Sequence, residues 1–254
     1  MKSKIAAKNM DIGYEKKVII KNATFEVNNN DIFIIMGASG CGKSTMLKVL
    51  TGLMPPLKGN FYIDDIEYIK ADEQTKLEIM KKVGVLYQSG GLFSSMTLAE
   101  NVALPLQKYS SYSKKAIDDL VSLKLALVGL DGYNDYYPSQ ISGGMKKRAG
   151  LARALALDPE IVYFDEPSAG LDPLSSARLD NLMQDINQNL KTTLVVVTHE
   201  LSSIFAIGTN SIFLDAKTKT VKARGNPAQI LKNPPNEDVY NFLTRGKYDE
   251  KRAE

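Results

Sequence analysis

The chain has 254 residues, of which 44% are hydrophobic and 24% charged, so it is long enough for one large domain with a sizeable core. Its 32 basic and 29 acidic residues nearly balance, which argues against a nucleic-acid partner, because such proteins carry clustered basic surface. Cys41 is the only cysteine, which excludes an internal disulfide and fits a reducing, cytoplasmic setting. The apolar runs are too short to span a membrane and the first nine residues do not resemble a secretion signal, so another chain is expected to supply any spanning helices.

The predicted elements alternate between strands and helices. Short strand patterns separated by turns fill residues 4–36, and the last of them, 32–36, is a continuous apolar run typical of a buried central strand. Further strands are predicted within 60–70 and at 83–87, 161–164, 193–197 and 212–214, and helices at 44–50, 98–108, 113–129, 143–157 and 174–190. This order predicts an α/β fold with a mainly parallel core sheet, an N-terminal antiparallel β region and an inserted helical subdomain.

These elements are expected to form one domain over residues 1–254. Its core is predicted at about 1–90 and 159–243, and the helical subdomain at about 91–158. The remaining segment, 244–254, is a charged tail without a core pattern.

A glycine-rich loop connects the apolar strand at 32–36 to the helix at 44–50. It consists of Gly37, Ala38, Ser39, Gly40, Cys41, Gly42, Lys43, Ser44 and Thr45. The spacing Gly-x-x-x-x-Gly-Lys-Ser between a strand and a helix predicts a phosphate-binding loop, in which glycines let successive N–H groups point at phosphate oxygens. Lys43 is expected to reach the β- and γ-phosphates of ATP, Ser44 to ligate Mg²⁺, and Cys41 to contribute its backbone N–H rather than its sulfur. A glycine turn without a ligand is the alternative.

Polar residues also follow three other predicted strands. Asp165 and Glu166 lie at the carboxyl end of the 161–164 strand, where parallel sheets collect ligands, so Asp165 is expected to hold Mg²⁺ and Glu166 to polarise the attacking water. His199 follows the 193–197 strand and is expected to face the γ-phosphate. Gln88 follows the 83–87 strand and can ligate metal or water by its amide. Taken alone, each could be an ordinary polar residue at a strand end.

A second anion site is predicted at the start of the 143–157 helix. Ser142 can cap this helix, and Gly143 and Gly144 leave N–H groups exposed. The helix is also rich in basic residues, namely Lys146, Lys147, Arg148 and Arg153. Because the chain already has one phosphate loop, this second site needs a different phosphate or a second molecule. A simple helix cap with a glycine turn is the alternative.

Together these motifs resemble the ABC transporter ATPase family over about residues 4–243. The resemblance rests on the phosphate loop, Gln88, the signature Ile141–Met145, the acidic strand end, the loop Ser168–Asp172 and His199. In that family two ATPase domains pair head to tail, and the signature of one closes on the ATP held by the other, which implies a homodimer here. Tyr14 is similar to the family's aromatic residue that stacks on adenine, although a strand aromatic packed in the core is the alternative.

Departures from the common family pattern resemble the Mla-type lipid transporters. Met145 replaces the usual glutamine at the end of the signature, and the segments 88–93, 142–154 and 238–243 are also similar to that group. The resemblance implies a peripheral subunit on the cytoplasmic face of the inner membrane that drives phospholipid transport between the inner and outer membranes. The implied partners are an inner-membrane permease and a periplasmic Mce-domain protein, joined in some members by a small STAS-domain protein.

The permease of such a complex is expected to dock a short helix near residues 88–105. The apolar residues there are Leu92, Phe93, Met96 and Leu98, which could instead form the subdomain's own core. Two alternative functions stay open: an ABC transporter for a lipoprotein, amino acid or ion, and an ABC ATPase of translation or DNA repair. The second is disfavoured because the chain has one such domain and lacks room for a long coiled coil between Gln88 and Ser142.

Overall fold

The structure, a computed structural model, describes residues 3–15 and 17–246. Its strands are β1 (Ser3–Tyr14), β2 (Lys17–Asn28), β3 (Ile32–Gly37), β4 (Lys58–Ile63), β5 (Ile66–Glu67), β6 (Val83–Leu86), β7 (Ile161–Asp165), β8 (Thr193–Val197), β9 (Asn210–Asp215) and β10 (Thr220–Arg224). Its helices are α1 (Lys43–Leu50), α2 (Glu73–Lys81), α3 (Leu98–Tyr109), α4 (Lys114–Leu127), α5 (Gly143–Ala154), α6 (Pro173–Leu190), α7 (Leu201–Ile207), α8 (Pro227–Lys232) and α9 (Glu237–Thr244), with a 3₁₀ turn at Pro138–Gln140.

The chain divides into two compact units, and the first comprises the residues up to Ile69 and from Thr198 onward. In this unit β1 pairs antiparallel with β2 and β4, which gives a sheet in the order β2-β1-β4-β5. β3 pairs in parallel with β9, and β10 pairs antiparallel with β9. All six residues of β3 are buried, as expected of an apolar central strand that runs into a functional loop.

The second unit comprises residues Lys70 to Val197. Its strands β6, β7 and β8 are parallel, with Leu86 opposite Phe164 and Asp165 opposite Val197. Helices α3, α4 and α5 pack against one another. Local hydrogen bonds fix where these helices begin: Thr97 and Glu100 form a capping box at α3, in which each side chain accepts from the other residue's N–H.

The fold class predicted from the sequence is confirmed: the chain has parallel strands, an N-terminal antiparallel sheet and packed helices. The limits 91–158 proposed for the helical subdomain lie inside the second unit and stay a prediction. Of the predicted tail, residues 247–254 lie outside the described residues. Within the described part of the chain, no helix combines the length and the apolar character needed to cross a membrane.

Candidate functional site

The glycine-rich loop lies in the first unit, between β3 and α1. Ala38, Ser39 and Gly40 are exposed, and the backbone is left-handed at Gly40, with φ 78°, and at Gly42, with φ 104°. A Cβ on Gly42 would lie 2.7 Å from Cγ2 of Ile19, so both the backbone and the space require glycine there. The N-cap residue of α1 is Gly42, which has no side chain to accept a hydrogen bond from the first-turn N–H groups. An exposed loop that leads into the N-terminus of a helix is the arrangement that favours an anion.

Lys43 begins α1 and folds back over this loop. Its Nζ donates hydrogen bonds to the carbonyl oxygens of Gly37 at 3.0 Å and Ala38 at 3.3 Å. The side chain is buried, whereas Ser44 is exposed and Thr45 half-buried. The ammonium group is thus held at the loop by two acceptors that phosphate oxygens could replace.

Cys41 is buried within the loop, and its N–H donates to the Ala38 carbonyl oxygen at 3.3 Å. This hydrogen bond closes a turn of the loop, and the expectation that the Cys41 N–H serves a ligand stays a prediction. A Cβ on Gly37 would lie 2.7 Å from the Cys41 Sγ, so the thiol packs directly under the start of the loop. This packing favours a small side chain at position 41.

Tyr14 ends β1 beside α1, and its side chain is 47% exposed. Lys48 donates a 3.4 Å hydrogen bond to the Tyr14 hydroxyl, and its Nζ lies 6.0 Å from the centre of the ring. A hydrogen bond with the Thr45 side chain, followed by the one with Lys48, lowers the pKa of the Tyr14 hydroxyl. The alternative prediction of a core aromatic is wrong, because the ring is exposed next to the helix that follows the phosphate loop.

His199 completes the candidate residues of the first unit. The preceding residue, Thr198, donates its N–H to the Ile35 carbonyl oxygen at 3.3 Å, which places this segment next to β3. The imidazole is exposed, and its Nε2 lies 3.8 Å from Oε1 of Glu200. The first unit therefore carries Tyr14, the glycine-rich loop and His199.

The second unit carries the acidic pair. Asp165 is the last residue of β7, and both Asp165 and Glu166 are half-buried. The Glu166 N–H donates to the Val197 carbonyl oxygen at 2.9 Å, and Glu166 has φ 47°, in the left-handed region. That conformation costs a residue with a Cβ roughly 1–2 kcal/mol. Strain of this kind at a strand end is frequent where a side chain must be aimed for function.

Gln88 lies at the same edge of this parallel sheet as Glu166. Leu86 is opposite Phe164, so Gln88 and Glu166 each come two residues after a paired position. Gln88 is exposed, and the Gly90 N–H donates to the Tyr87 carbonyl oxygen in the turn that follows. The register thus agrees with the expectation that these strand ends carry functional side chains together.

Ser142 caps α5, as its side chain accepts a 3.2 Å hydrogen bond from the Met145 N–H. Ser142 and Gly143 are exposed, and Gly144 is half-buried. A Cβ on Gly144 would lie 3.8 Å from Cδ2 of Leu171, so the start of α5 lies close to the loop Ser168–Asp172. Ser142 therefore caps the helix and Gly143 leaves open space beside it, while the second anion site stays a prediction.

Three of the four basic side chains on α5 donate hydrogen bonds to backbone carbonyl oxygens. Lys147 donates to the carbonyl oxygens of Pro167 at 2.6 Å and Ala169 at 2.5 Å. Arg148 donates to those of Val128 and Gly129, and Arg153 to that of Gly91. The sequence shows only that the helix is rich in basic residues, whereas in the structure these three groups satisfy backbone carbonyls of neighbouring loops. Nothing in the local sequence distinguishes the two uses, because the acceptors are distant in the chain.

The apolar residues considered for permease docking separate into two groups. Leu98 is fully buried and belongs to the core, whereas Phe93 is 55% exposed and Leu92 and Met96 are half-buried. The fully buried Asn101 fixes this segment, because its side chain bonds to both the N–H and the carbonyl oxygen of Phe93. A cavity of about 220 Å³ also opens in the second unit, lined by Leu77, Met80, Lys81, Val83, Gly84, Val85, Pro105, Tyr109, Arg153, Ala154 and Leu157.

Similar proteins are found among transport ATP-binding proteins. A Mycobacterium leprae protein named probable ribonucleotide transport ATP-binding protein mkl is 41% identical over 198 residues, covering 78% of this chain and 57% of that protein. The glycine betaine/carnitine transport ATP-binding protein GbuA of Listeria monocytogenes is 37% identical over 225 residues, covering 88% and 56%. The chain thus spans little more than half the length of these two relatives.

A further curated relative and a solved structure match this chain over at least 86% of both proteins. The intermembrane phospholipid transport system ATP-binding protein MlaF of Haemophilus influenzae is 35% identical over 229 residues, covering 90% of this chain and 86% of that protein. A solved structure described as a dimeric, post-hydrolysis ATP-binding cassette bound to ADP and Pi has a TM-score of 0.79 and 30% identity, covering 87% and 98%. The profile of the ABC transporter family matches residues 20–169. The chain belongs to the ABC transporter family, a family of ATPases.

Proposed function

We propose that this chain is the ATP-hydrolysing subunit of an ABC transporter that moves phospholipid between the inner and outer membranes. The carrying observation is the loop Gly37–Thr45, where exposed residues and left-handed glycines lead into a helix whose N-cap is Gly42. Exposed N–H groups at a helix N-terminus suit a phosphate chain. The ADP and Pi in the solved relative support a nucleoside phosphate as the ligand.

Residues of the first unit are suited to contact the adenine and the phosphates of ATP. The exposed Tyr14 ring offers a face for the adenine, and Lys43 can exchange its carbonyl partners for β- and γ-phosphate oxygens. His199 is exposed and follows a segment paired to β3, so we assign it to the γ-phosphate. The loop backbone from Gly37 to Thr45 would surround the phosphates.

The hydroxyl of Ser44, the amide of Gln88 and the carboxylate of Asp165 are oxygen donors of the kind that Mg²⁺ prefers, so we assign the metal to them. When bound, Mg²⁺ would neutralise charge on the phosphates. Glu166 is assigned to polarising the attacking water. The left-handed backbone at Glu166 supports this role, because such strain is retained where a side chain needs a particular direction.

We further propose that the site is completed by a second copy of the chain in a head-to-tail homodimer. Ser142, Gly143 and Gly144 would contact the ATP of the partner, which accounts for a second set of exposed donors in a chain that already has a phosphate loop. The dimeric state of the solved relative supports this assembly. Closure of the dimer on ATP and its release after hydrolysis would then drive a rigid-body motion.

Phospholipid is the proposed cargo because the MlaF relative, of which the match covers 86%, is named for intermembrane phospholipid transport. Met145 and the following basic residues, which resemble the Mla type, agree with this choice. Glycine betaine or a similar small solute is the second candidate, favoured by the 37% identity to GbuA. The proposed place is the cytoplasmic face of the inner membrane.

The proposed partners follow from this assignment. The exposed Phe93 and, separately, the cavity of the second unit offer apolar surface for a short permease helix. A periplasmic Mce-domain protein would complete the transporter, and a small STAS-domain protein is proposed to bind the helical subdomain at about 91–158.

The experiment is purification of the chain from its native membrane with its partners, followed by mass spectrometry of bound lipid and an ATPase assay. We expect a permease and an Mce-domain protein, bound phospholipid, and hydrolysis that phospholipid stimulates. A complex with a solute-binding protein, stimulated by glycine betaine and not by lipid, would establish the second candidate. Co-purification with ribosomes or DNA would contradict both.

A further inference from the structure

Lys147 is a buried cation in the middle of α5, and the proposed mechanism does not use it. Its side chain is 6% exposed, yet its Nζ donates to two backbone carbonyls, those of Pro167 and Ala169. Pro167 directly follows Glu166, and Ala169 lies in the loop that leads to α6. A single ammonium group therefore bridges the carbonyls of the first and third residues after Glu166, the residue assigned to water activation.

We propose that Lys147 is a positioning residue that connects the signature at the start of α5 to Glu166 and to the loop Ser168–Asp172 that follows it. The expected change in kcat rests on the proposed ATPase function, whereas the link between α5 and the loop rests on the hydrogen bonds of Lys147. Ser142 caps the helix that carries Lys147, so a displacement of the signature would move the ammonium group and, through the two carbonyls, the residues that follow Glu166. In the proposed dimer, the signature of one copy contacts the ATP bound by its partner. Lys147 would therefore link that ATP to Glu166 of its own copy, which serves the ATP bound by that copy.

Electrostatics and backbone geometry agree with this connection. Burial lowers the pKa of Lys147, and the negative charge of Glu166 opposes that shift, so the two side chains interact electrostatically. The backbone turn at Glu166 is left-handed, and the Ala169 N–H donates to the Glu166 carbonyl oxygen at 3.1 Å. In this strained turn the Glu166 carbonyl oxygen thus accepts from the Ala169 N–H, and the carbonyl oxygens of Pro167 and Ala169 accept from Lys147.

The loop Ser168–Asp172 has two polar side chains, those of Ser168 and Asp172. The Ser168 hydroxyl is buried and makes no hydrogen bond within the described residues. Asp172 is engaged at the far end of the loop, where it caps α6 by accepting from the Ser175 N–H. Loss of the Lys147 ammonium would leave two carbonyls without their donor in a partly buried place, and the loop would shift to find solvent.

The test compares the full-length chain with Lys147→Met, Lys147→Arg and the matched control Lys124→Met. Lys124 is another buried lysine of the second unit, but it pairs with Asp158 and not with the loop 167–172. Three quantities are measured: the Kd for ATP, the kcat for hydrolysis at saturating Mg²⁺-ATP, and amide hydrogen exchange across 160–176.

For Lys147→Met we expect an unchanged Kd, a kcat reduced by about tenfold or more, since small misplacements of reacting groups cost that much, and faster exchange at 167–172. Lys147→Arg restores most of the kcat because a guanidinium can reach both carbonyls. Lys124→Met loses stability but keeps its kcat and its exchange at 167–172.

An unchanged kcat and unchanged exchange in Lys147→Met would overturn the inference, as would an equal loss of kcat in Lys124→Met. If Lys147→Met does not fold, Lys147→Gln takes its place, and a kcat equal to that of Lys147→Arg would overturn the inference. Absence of hydrolysis by the unsubstituted chain would count against the proposed function, whereas the hydrogen-exchange comparison would still test the role of Lys147.

Discussion

The Nζ of Lys43 lies 3.0 Å from the carbonyl oxygen of Gly37, the residue at the opposite end of the glycine-rich loop. This contact closes the loop on itself and keeps a cation beside the exposed residues Ala38 to Gly40. The same lysine thus braces the loop and lies where a phosphate oxygen could take the place of a carbonyl acceptor.

Replacement of Lys43 by alanine should weaken ATP binding. Hydrogen bonds to charged groups contribute about 1.5–3 kcal/mol, so we expect the Kd to rise by about tenfold to a hundredfold. Calorimetric titration of ATP into both proteins measures the change, with thermal unfolding as the control for folding. A Kd equal to that of the unsubstituted chain would exclude Lys43 as a phosphate ligand.

Alanine at Gly42 should destabilise the chain more than alanine at Gly40. Both backbones are left-handed, which costs about 1–2 kcal/mol for a residue with a Cβ. Only at Gly42 does the Cβ also approach Ile19, and overpacking adds about 1–3 kcal/mol. Urea unfolding of both variants measures the difference. Equal losses would mean that the space around Gly42 is not limiting.

Removal of the Tyr14 ring should weaken ATP binding without affecting inorganic triphosphate. Aromatic stacking contributes about 0.5–1.5 kcal/mol, so Tyr14→Ala should raise the Kd for ATP by about twofold to tenfold. Tyr14→Phe keeps the ring and should bind nearly as well as the unsubstituted chain. Competition titrations with both ligands provide the measurement. A parallel loss of triphosphate affinity would place Tyr14 at the phosphates instead of at the adenine.

Asp72 should make the stability of the second unit depend on pH. The N–H and then the hydroxyl of Thr75 bond to its carboxylate and lower its pKa below the ordinary value of 3.8. Its stabilising contribution at the start of α2 is therefore present above pH 3.8 and is lost as the pH falls through the lower, folded-state pKa. We expect the stability difference between the natural chain and Asp72→Asn to change only in that acidic range, as measured by urea unfolding from pH 7 downward. A difference that is constant to the lowest pH would contradict the assigned pKa shift.

The elements that were predictable are those whose pattern is local. The apolar strand Ile32–Gly37 and the glycines that follow it define the phosphate loop within a few residues. By contrast, β10 has one buried residue in five and exists because it pairs with β9. Helix α2 buries only Ile79, so its periodicity is weak in the sequence.

The least predictable part of the site was the use of the basic residues on α5. The sequence shows four positive charges after the signature but cannot show that Lys147 is directed at the carbonyls of Pro167 and Ala169, twenty residues or more away. In the same way, Tyr14 could be core or surface until β1 was seen to end beside Lys48. Both outcomes depend on packing between segments distant in the chain.

The central claim is that hydrolysis occurs in a site that two copies of the chain share and that Glu166 serves. The most direct measurement is the rate of ATP hydrolysis per chain as a function of chain concentration, for the natural chain and for Glu166→Gln. The account predicts a rate per chain that rises with concentration to a plateau, and no turnover in Glu166→Gln, which should still bind ATP and persist as a dimer. A rate per chain that is independent of concentration in solutions of monomer, or natural turnover by Glu166→Gln, would contradict it.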